Sequence, residues 1–208
     1  MTASSERPLI AVLDYGIGNL RSAEKALEHV GADARLTDDA AIIRDAAGVV
    51  LPGVGAFGRC MDALERTGLA SIARERAASD VPFLGICIGM QLLYEESEEN
   101  PGREGLGVLP GVVRRLPDGV KHPQMQWNTI AVHNGAYLFD GLPNEAWFYF
   151  VHSYAPDDRD NASATCDYGG EVVAAVERGN VSAMQFHPEK SGANGLHVLG
   201  NFVARCAA

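Results

Sequence analysis

The chain has 208 residues, 47% hydrophobic and 21% charged, enough to bury a substantial core and of a length that suits a single domain spanning residues 1–208. Its net charge of -10 argues against a nucleic-acid partner, because an acidic surface repels phosphate backbones. The apolar run Leu9 to Leu13 is too short for a signal peptide and Val81 to Met90 too short to span a bilayer, and Cys60, Cys87, Cys166 and Cys206 show no pairing rhythm, so a reduced, cytoplasmic protein with no membrane partner is expected.

In chain order, "PLIAVLD" (8–14) reads as a buried strand. "GNLRSAEKALEHVG" (18–31) reads as a helix, with Leu20, Ala23, Leu27 and Val30 on one face, Asn19 as a cap and Gly31 as the stop. Further strands are predicted at 48–53, 81–87, 172–178 and 181–187, and further helices at 57–66, 69–78, 88–95 and 193–206. Strand–helix alternation in the first half implies a parallel sheet. The stretch from about 108 to 177 lacks helical periodicity and reads as added antiparallel strands. The fold class expected is therefore α/β, a mostly parallel sheet flanked by helices.

Two glycine patterns compete for attention. "LPGVGAFG" (51–58) has Gly53, Gly55 and Gly58 in the spacing of a dinucleotide fingerprint. That reading demands an acidic residue at the end of the next strand, where this chain has Gly85-Ile86-Cys87. A plain glycine-rich turn is the alternative. The second pattern, Gly85-Ile86-Cys87-Ile88-Gly89, is a nucleophile elbow with cysteine as the nucleophile. A strand-to-helix turn pushes such a side chain into the open, and the helix that follows favours a thiolate. The alternative is an inert core cysteine.

A thiolate needs a base, and the base an orienting acid. "MQFHPEKSG" (184–192) offers His187 and Glu189 two residues apart. In an extended segment they share a side, and Pro188 is expected to keep the segment out of helix. A surface turn is the competing reading. His29, His133 and His197 are read as structural or solvated, and His122 and His152 have no paired acid nearby. Attack on an amide also creates an oxyanion that backbone N–H groups must meet. Ile88, after the nucleophile, supplies one, and Gly53-Val54-Gly55 is placed to supply the other.

With these residues assembled, the chain resembles the class I (triad) glutamine amidotransferases, and among them the glutaminase subunits of imidazole glycerol phosphate synthase, of histidine biosynthesis. "LDYGIGNLRS", "LPGVGAFG", "LGICIGMQLLYEESEE", "GLGVLPG", "WFYFVHSYAP" and "MQFHPEKSG…GLHVLGNF" carry the resemblance in order over nearly the whole chain. It implies a flavodoxin-like fold and release of ammonia from glutamine by Cys87, His187 and Glu189, with no metal or cofactor. It also implies that Gln91 and Glu99 hold the substrate's polar groups and that the Ser153-Tyr154 backbone meets its carboxylate. Without it, Glu95, Glu96, Glu98 and Glu99 would read as a solvated acidic run. The implied partner is a separate (β/α)₈-barrel cyclase subunit in a heterodimer, faced by Asn19, Trp127, Tyr149 and Lys190, although aromatic rings at such positions are commonly core. Where the family commonly reads P-H-M-G-W-N, this chain has Pro123-Gln124-Met125-Gln126-Trp127-Asn128. Gln126 does not adopt a positive φ as cheaply as glycine, so an altered local turn is expected. The rival readings are a paralogous glutaminase, feeding pyridoxal phosphate synthase or a sugar-amidating enzyme, and a non-catalytic binding module.

Overall fold

The computed structural model describes residues 7–133, 135–143 and 145–208. The first half runs β1 (Leu9–Leu13), α1 (Leu20–His29), β2 (Asp33–Thr37), α2 (Ala40–Asp45), β3 (Gly48–Gly53), α3 (Phe57–Arg66), α4 (Leu69–Ala77), β4 (Phe83–Cys87) and α5 (Ile88–Leu92). The second half runs β5 (Glu96–Ser97), β6 (Val112–Arg115), β7 (Gln124–Thr129), β8 (Ala131–Val132), a 3₁₀ turn at Tyr137–Phe139, β9 (Trp147–His152), β10 (Tyr154–Pro156), β11 (Ala162–Asp167), β12 (Glu171–Arg178), β13 (Val181–Met184), a second 3₁₀ turn at Pro188–Lys190, and α6 (Gly192–Cys206).

An eight-stranded sheet in the order β2-β1-β3-β4-β13-β12-β11-β8 forms the centre. The pairings from β2 through β13 are parallel, and this 2-1-3-4-5 progression is the flavodoxin-like winding. Strands β3, β4 and β13 are buried at every position, as parallel strands covered on both faces must be. Helices α1 and α6 pack together, while α4 packs against α2 and α3 and α3 against α5. The expected antiparallel additions are β12, β11 and β8, which extend the sheet, and the two-stranded ribbon β7-β9. A third sheet, β10-β6-β5, includes one parallel pairing, β5 with β6. Among the described residues, no helix is long and apolar enough to cross a membrane.

Several expectations need correction. The first helix is shorter than 18–31, and Asn19 stands at its N-cap without a side-chain capping bond. The helix expected over 88–95 stops at Leu92, and the strand expected over 181–187 stops at Met184. His187 is extended but residues 188–190 are not: Pro188 occupies the first position of a 3₁₀ turn, where its fixed φ is pre-organised for a helical turn. Gln126 needs no special turn, since it lies in β7 opposite Phe150 and has no positive φ. Strand β2 and helix α2 were not foreseen. Only Ala34 of β2 and Ile43 of α2 are buried, too little apolar pattern to register. The Asp39 cap, whose carboxylate accepts from Ala41 N at 2.7 Å, was the available signal.

The packing of α5 onto β3 and β4 admits no side chain at two glycines. A Cβ at Gly89 would run into the carbonyl oxygen of Leu51, and one at Gly85 would lie 2.9 Å from the Gly89 oxygen. Gly89→Ala is expected to lower unfolding stability by about 3 kcal/mol or more, through overpacking against backbone. Gly200→Ala, in the middle of α6 with open space around its Cα, is expected to raise it by about 0.5–1 kcal/mol. Urea melts of the two variants check both signs.

Candidate active site

The C-terminal ends of β3, β4 and β13 meet at one edge of the sheet, where ligands bind in open α/β folds. Cys87 ends β4 and begins α5 with φ 55° and ψ -112°. Among the described residues it is the one non-glycine with a positive φ. Such a backbone costs of order 1–3 kcal/mol and persists where its surroundings over-determine it. Here those surroundings are the buried strand pairing Gly53 with Cys87 and the glycine contacts under α5.

His187 follows β13 and is buried, and its Nδ1 lies 2.8 Å from Glu189 Oε1. The pairing expected from an extended segment is thus made within a 3₁₀ turn. Burial pushes the imidazolium toward deprotonation, but the Cys87 sulfur and the Glu189 carboxylate outweigh it and lift the His187 pKa to about 9. The ring's Nε2 has no partner of regular hydrogen-bond geometry. Ser191 braces the turn. Its hydroxyl donates to the His187 carbonyl at 2.6 Å and accepts from Tyr149 N at 3.0 Å, and His187 N donates to the Tyr149 carbonyl at 2.9 Å.

Cys87 and His187 line one cavity of about 410 Å³. Val54, Gly55 and Ile88 line it as well. Gly53 does not: it belongs to β3, where a Cβ would lie 2.6 Å from the Tyr15 hydroxyl and 3.1 Å from Ile88 Cβ. Its lack of a side chain lets α5 approach, whereas Gly55, with φ 107°, makes the turn beside the sulfur. Tyr15, buried beneath, donates to the Pro52 carbonyl at 2.7 Å.

Gln91, Glu99, Ser153 and Tyr154 also line the cavity, with Asn19 and Lys190 exposed at its mouth. Gln91 is buried. Its Nε2 donates to the Tyr154 carbonyl at 2.9 Å and to Gln185 Oε1 at 3.0 Å, and its Oε1 is without a partner. Glu99 accepts from Phe57 N, in the first turn of α3, at 2.7 Å. The rest of the acidic run is exposed: Glu95 accepts from Gly111 N, Glu98 pairs with Arg114, and Glu96 is solvated as expected of such a run. Trp127 and Tyr149 lie outside the cavity lining, ring edge to face at 6.1 Å on the outer side of the β7-β9 ribbon.

Sequence reasoning missed Gln185, whose Nε2 lies 3.8 Å from Cys87 Sγ. It also missed Ser191, and it named no role for His152, which lines the cavity. Gln185 and Ser191 stand inside "MQFHPEKSG", so proximity to His187 was their available signal. His133, His122 and His197 bond to backbone carbonyls, as structural histidines do.

A model of the class-I glutamine amidotransferases matches residues 11–206. The chain belongs to that family. It is 50% identical over 197 residues to imidazole glycerol phosphate synthase subunit HisH of Herpetosiphon aurantiacus, covering 94% of this chain and 93% of the relative. It is 50% identical over 196 residues to the subunit of the same name from Methanothermobacter thermautotrophicus, covering 94% and 98%. Among solved structures, one described as a glutamine amidotransferase superposes with a TM-score of 0.75 at 22% identity, over 96% of this chain and 99% of that one. PurLQS from Thermotoga maritima gives 0.74 at 22% identity, over 95% and 98%. At that identity the superpositions speak for the fold.

The site's electrostatics give a direct readout. Ring-nitrogen NMR of wild type is expected to show His187 protonated up to about pH 9. In Glu189→Gln the loss of a neighbouring negative charge is expected to lower that pKa. An unchanged titration would contradict the pairing.

Proposed function

We propose that this chain hydrolyses glutamine to glutamate and ammonia, and passes the ammonia to a (β/α)₈-barrel cyclase subunit that makes imidazole glycerol phosphate and an aminoimidazole carboxamide ribotide in histidine biosynthesis. The observation that carries the chemistry is the strained Cys87 sharing one cavity with His187, whose ring is paired with Glu189. The observation that carries the pathway is the 48–50% identity to several HisH subunits.

Glutamine enters with its α-ammonium toward two acceptors, Gln91 Oε1 and the Glu99 carboxylate, and its carboxylate toward the Ser153-Tyr154 backbone. Cys87 Sγ attacks the side-chain amide carbon. The N–H of Ile88, at the start of α5, and an N–H of the Val54-Gly55 loop meet the oxyanion. His187 gives its Nε2 proton to the departing nitrogen as the C–N bond breaks, leaving a γ-glutamyl thioester and ammonia. Water attacks the thioester with His187 as base, the thiolate leaves, and glutamate is released. Glu189 holds the imidazole in orientation throughout.

The partner reading rests on the outer side of the β7-β9 ribbon. The cross-strand pairs Met125–Val151, Trp127–Tyr149 and Thr129–Trp147 share that side. Met125 is 60% exposed, Trp127 47% and Trp147 50%. Contiguous exposed apolar surface of this kind marks an interaction site. Val151 and Lys190, at its inner margin, also line the cavity, so a subunit seated here closes the cavity mouth. All four cysteines are free thiols, in keeping with a cytoplasmic enzyme.

In the complex with the cyclase, Cys87→Ala is expected to reduce glutamine-dependent synthesis roughly 10⁴-fold or more while sparing synthesis from ammonium salts. Retained glutamine use would refute the nucleophile. Trp127→Ala is expected to weaken subunit association roughly 30-fold, the weight of an aromatic anchor worth ~2 kcal/mol, measured by calorimetric titration. The isolated chain is expected to hydrolyse glutamine slowly, since its cavity mouth stands open.

A further inference from the structure

Gln124, which stands where the resembled family commonly has histidine, is buried on the inner face of the β7-β9 ribbon, directly opposite His152. Its side-chain amide lies 2.9 Å from His152 Nε2. On the other edge of the ring, His152 Nδ1 lies 2.8 Å from the Tyr154 carbonyl oxygen. The same carbonyl accepts from Gln91 Nε2 at 2.9 Å. Gln91 Nε2 also donates to Gln185 Oε1, and Gln185 Nε2 approaches Cys87 Sγ. One buried polar chain therefore runs from the ribbon to the nucleophile.

Donor and acceptor matching fixes its state. A carbonyl accepts only from an N–H, so His152 carries its proton on Nδ1. Burial holds the ring neutral, with its pKa down at about 4. Nε2 is then a bare acceptor, and the –NH₂ end of the Gln124 amide is the group able to serve it. As placed, the amide turns its oxygen toward His152 Nε2 and leaves its own nitrogen without a partner in the interior, and exchanging the two ends of the amide removes both faults at His152. Both N–H bonds of the Gln91 amide are then committed, so its Oε1 has one fixed place on the cavity wall.

We propose that Gln124 and His152 are positioning residues: paired across the ribbon, they fix the Tyr154 carbonyl and, through it, the Gln91 acceptor that receives the substrate. The inference rests on the glutamine reading given above. It assigns to the residue at 124 an effect on substrate binding rather than on bond breaking, because Gln124 touches neither the sulfur nor the base.

The test is steady-state glutamine hydrolysis by the complex with the cyclase subunit. Gln124→Met, close in shape but without the amide, is expected to raise KM for glutamine about tenfold, the effect of losing one buried hydrogen bond, with kcat changed less than about twofold. His152→Leu is expected to raise KM further. His152→Asn, whose Nδ2 takes the place of Nδ1 and keeps the donor to Tyr154, is expected to recover most of the loss. Alkylation of Cys87 by iodoacetamide is expected to stay at the wild-type rate in all three, which separates a displaced acceptor from a damaged site. Unchanged KM in Gln124→Met, a fall in kcat at constant KM, or an asparagine variant no better than leucine would overturn the proposal. A wild-type complex that hydrolyses no glutamine would instead overturn the reading on which it rests.

Discussion

The backbone of Cys87 is the constraint on which the rest depends. An L-residue at φ 55° and ψ -112° is held there by the closeness of α5 to the two strands beneath it. That closeness exists because Gly53, Gly85 and Gly89 have no side chains to prevent it. Strand β3 pairs with β4 so that Gly53 sits opposite Cys87. The chain leaving β3 must then turn beside the sulfur, and Gly55 makes that turn. Cys87 and the loop beside it are therefore set by one packing arrangement.

His187 is placed by a different device. Nothing in the parallel sheet itself holds His187, because β13 ends three residues earlier. The imidazole is placed by a 3₁₀ turn whose carbonyl and amide are gripped by Ser191 and by the backbone of Tyr149 in β9. The ribbon that supplies Tyr149 also presents Trp127, Met125 and Trp147 outward and Gln124 and His152 inward. Its two faces serve different ends. The outer face suits a partner, and the inner face holds the His187 turn and the cavity wall. A displacement of the ribbon cannot alter one without reaching the other.

The parallel core was legible because strands buried on both faces are written as unbroken apolar runs, "VVL", "PFLGIC" and "VSAM" among them. The elbow was legible because close approach demands glycine at fixed offsets, and that demand appears as G-x-C-x-G. The edge elements β2 and α2 were not, since a strand and a helix with one buried side chain each leave little periodic trace. The turn at His187 was misread for a specific reason: Pro188 excludes a helix interior, yet it suits the first position of a helical turn. Gln185 was hidden for another. A buried amide that bonds to a second buried amide ninety-four positions away has no local signature, and the Gln124–His152 pair depends on a strand register that the sequence alone does not specify.

The charge pattern of the site bears on what happens to the product. At neutral pH free ammonia is mostly protonated, and ammonium is no nucleophile. A cavity that serves synthesis must therefore hand over ammonia before it meets bulk water. The site satisfies this on one side by its construction: Cys87, Gln91 and His187 are buried, and His152 is held neutral at the wall. On the other side the cavity is open, and its margin continues into the apolar outer face of the ribbon. Sealing that margin with a second protein both removes exposed apolar surface from water and closes the escape route. Under the proposed function, the hydrophobic energy of docking and the chemical requirement for dry transfer would be met by the same contact.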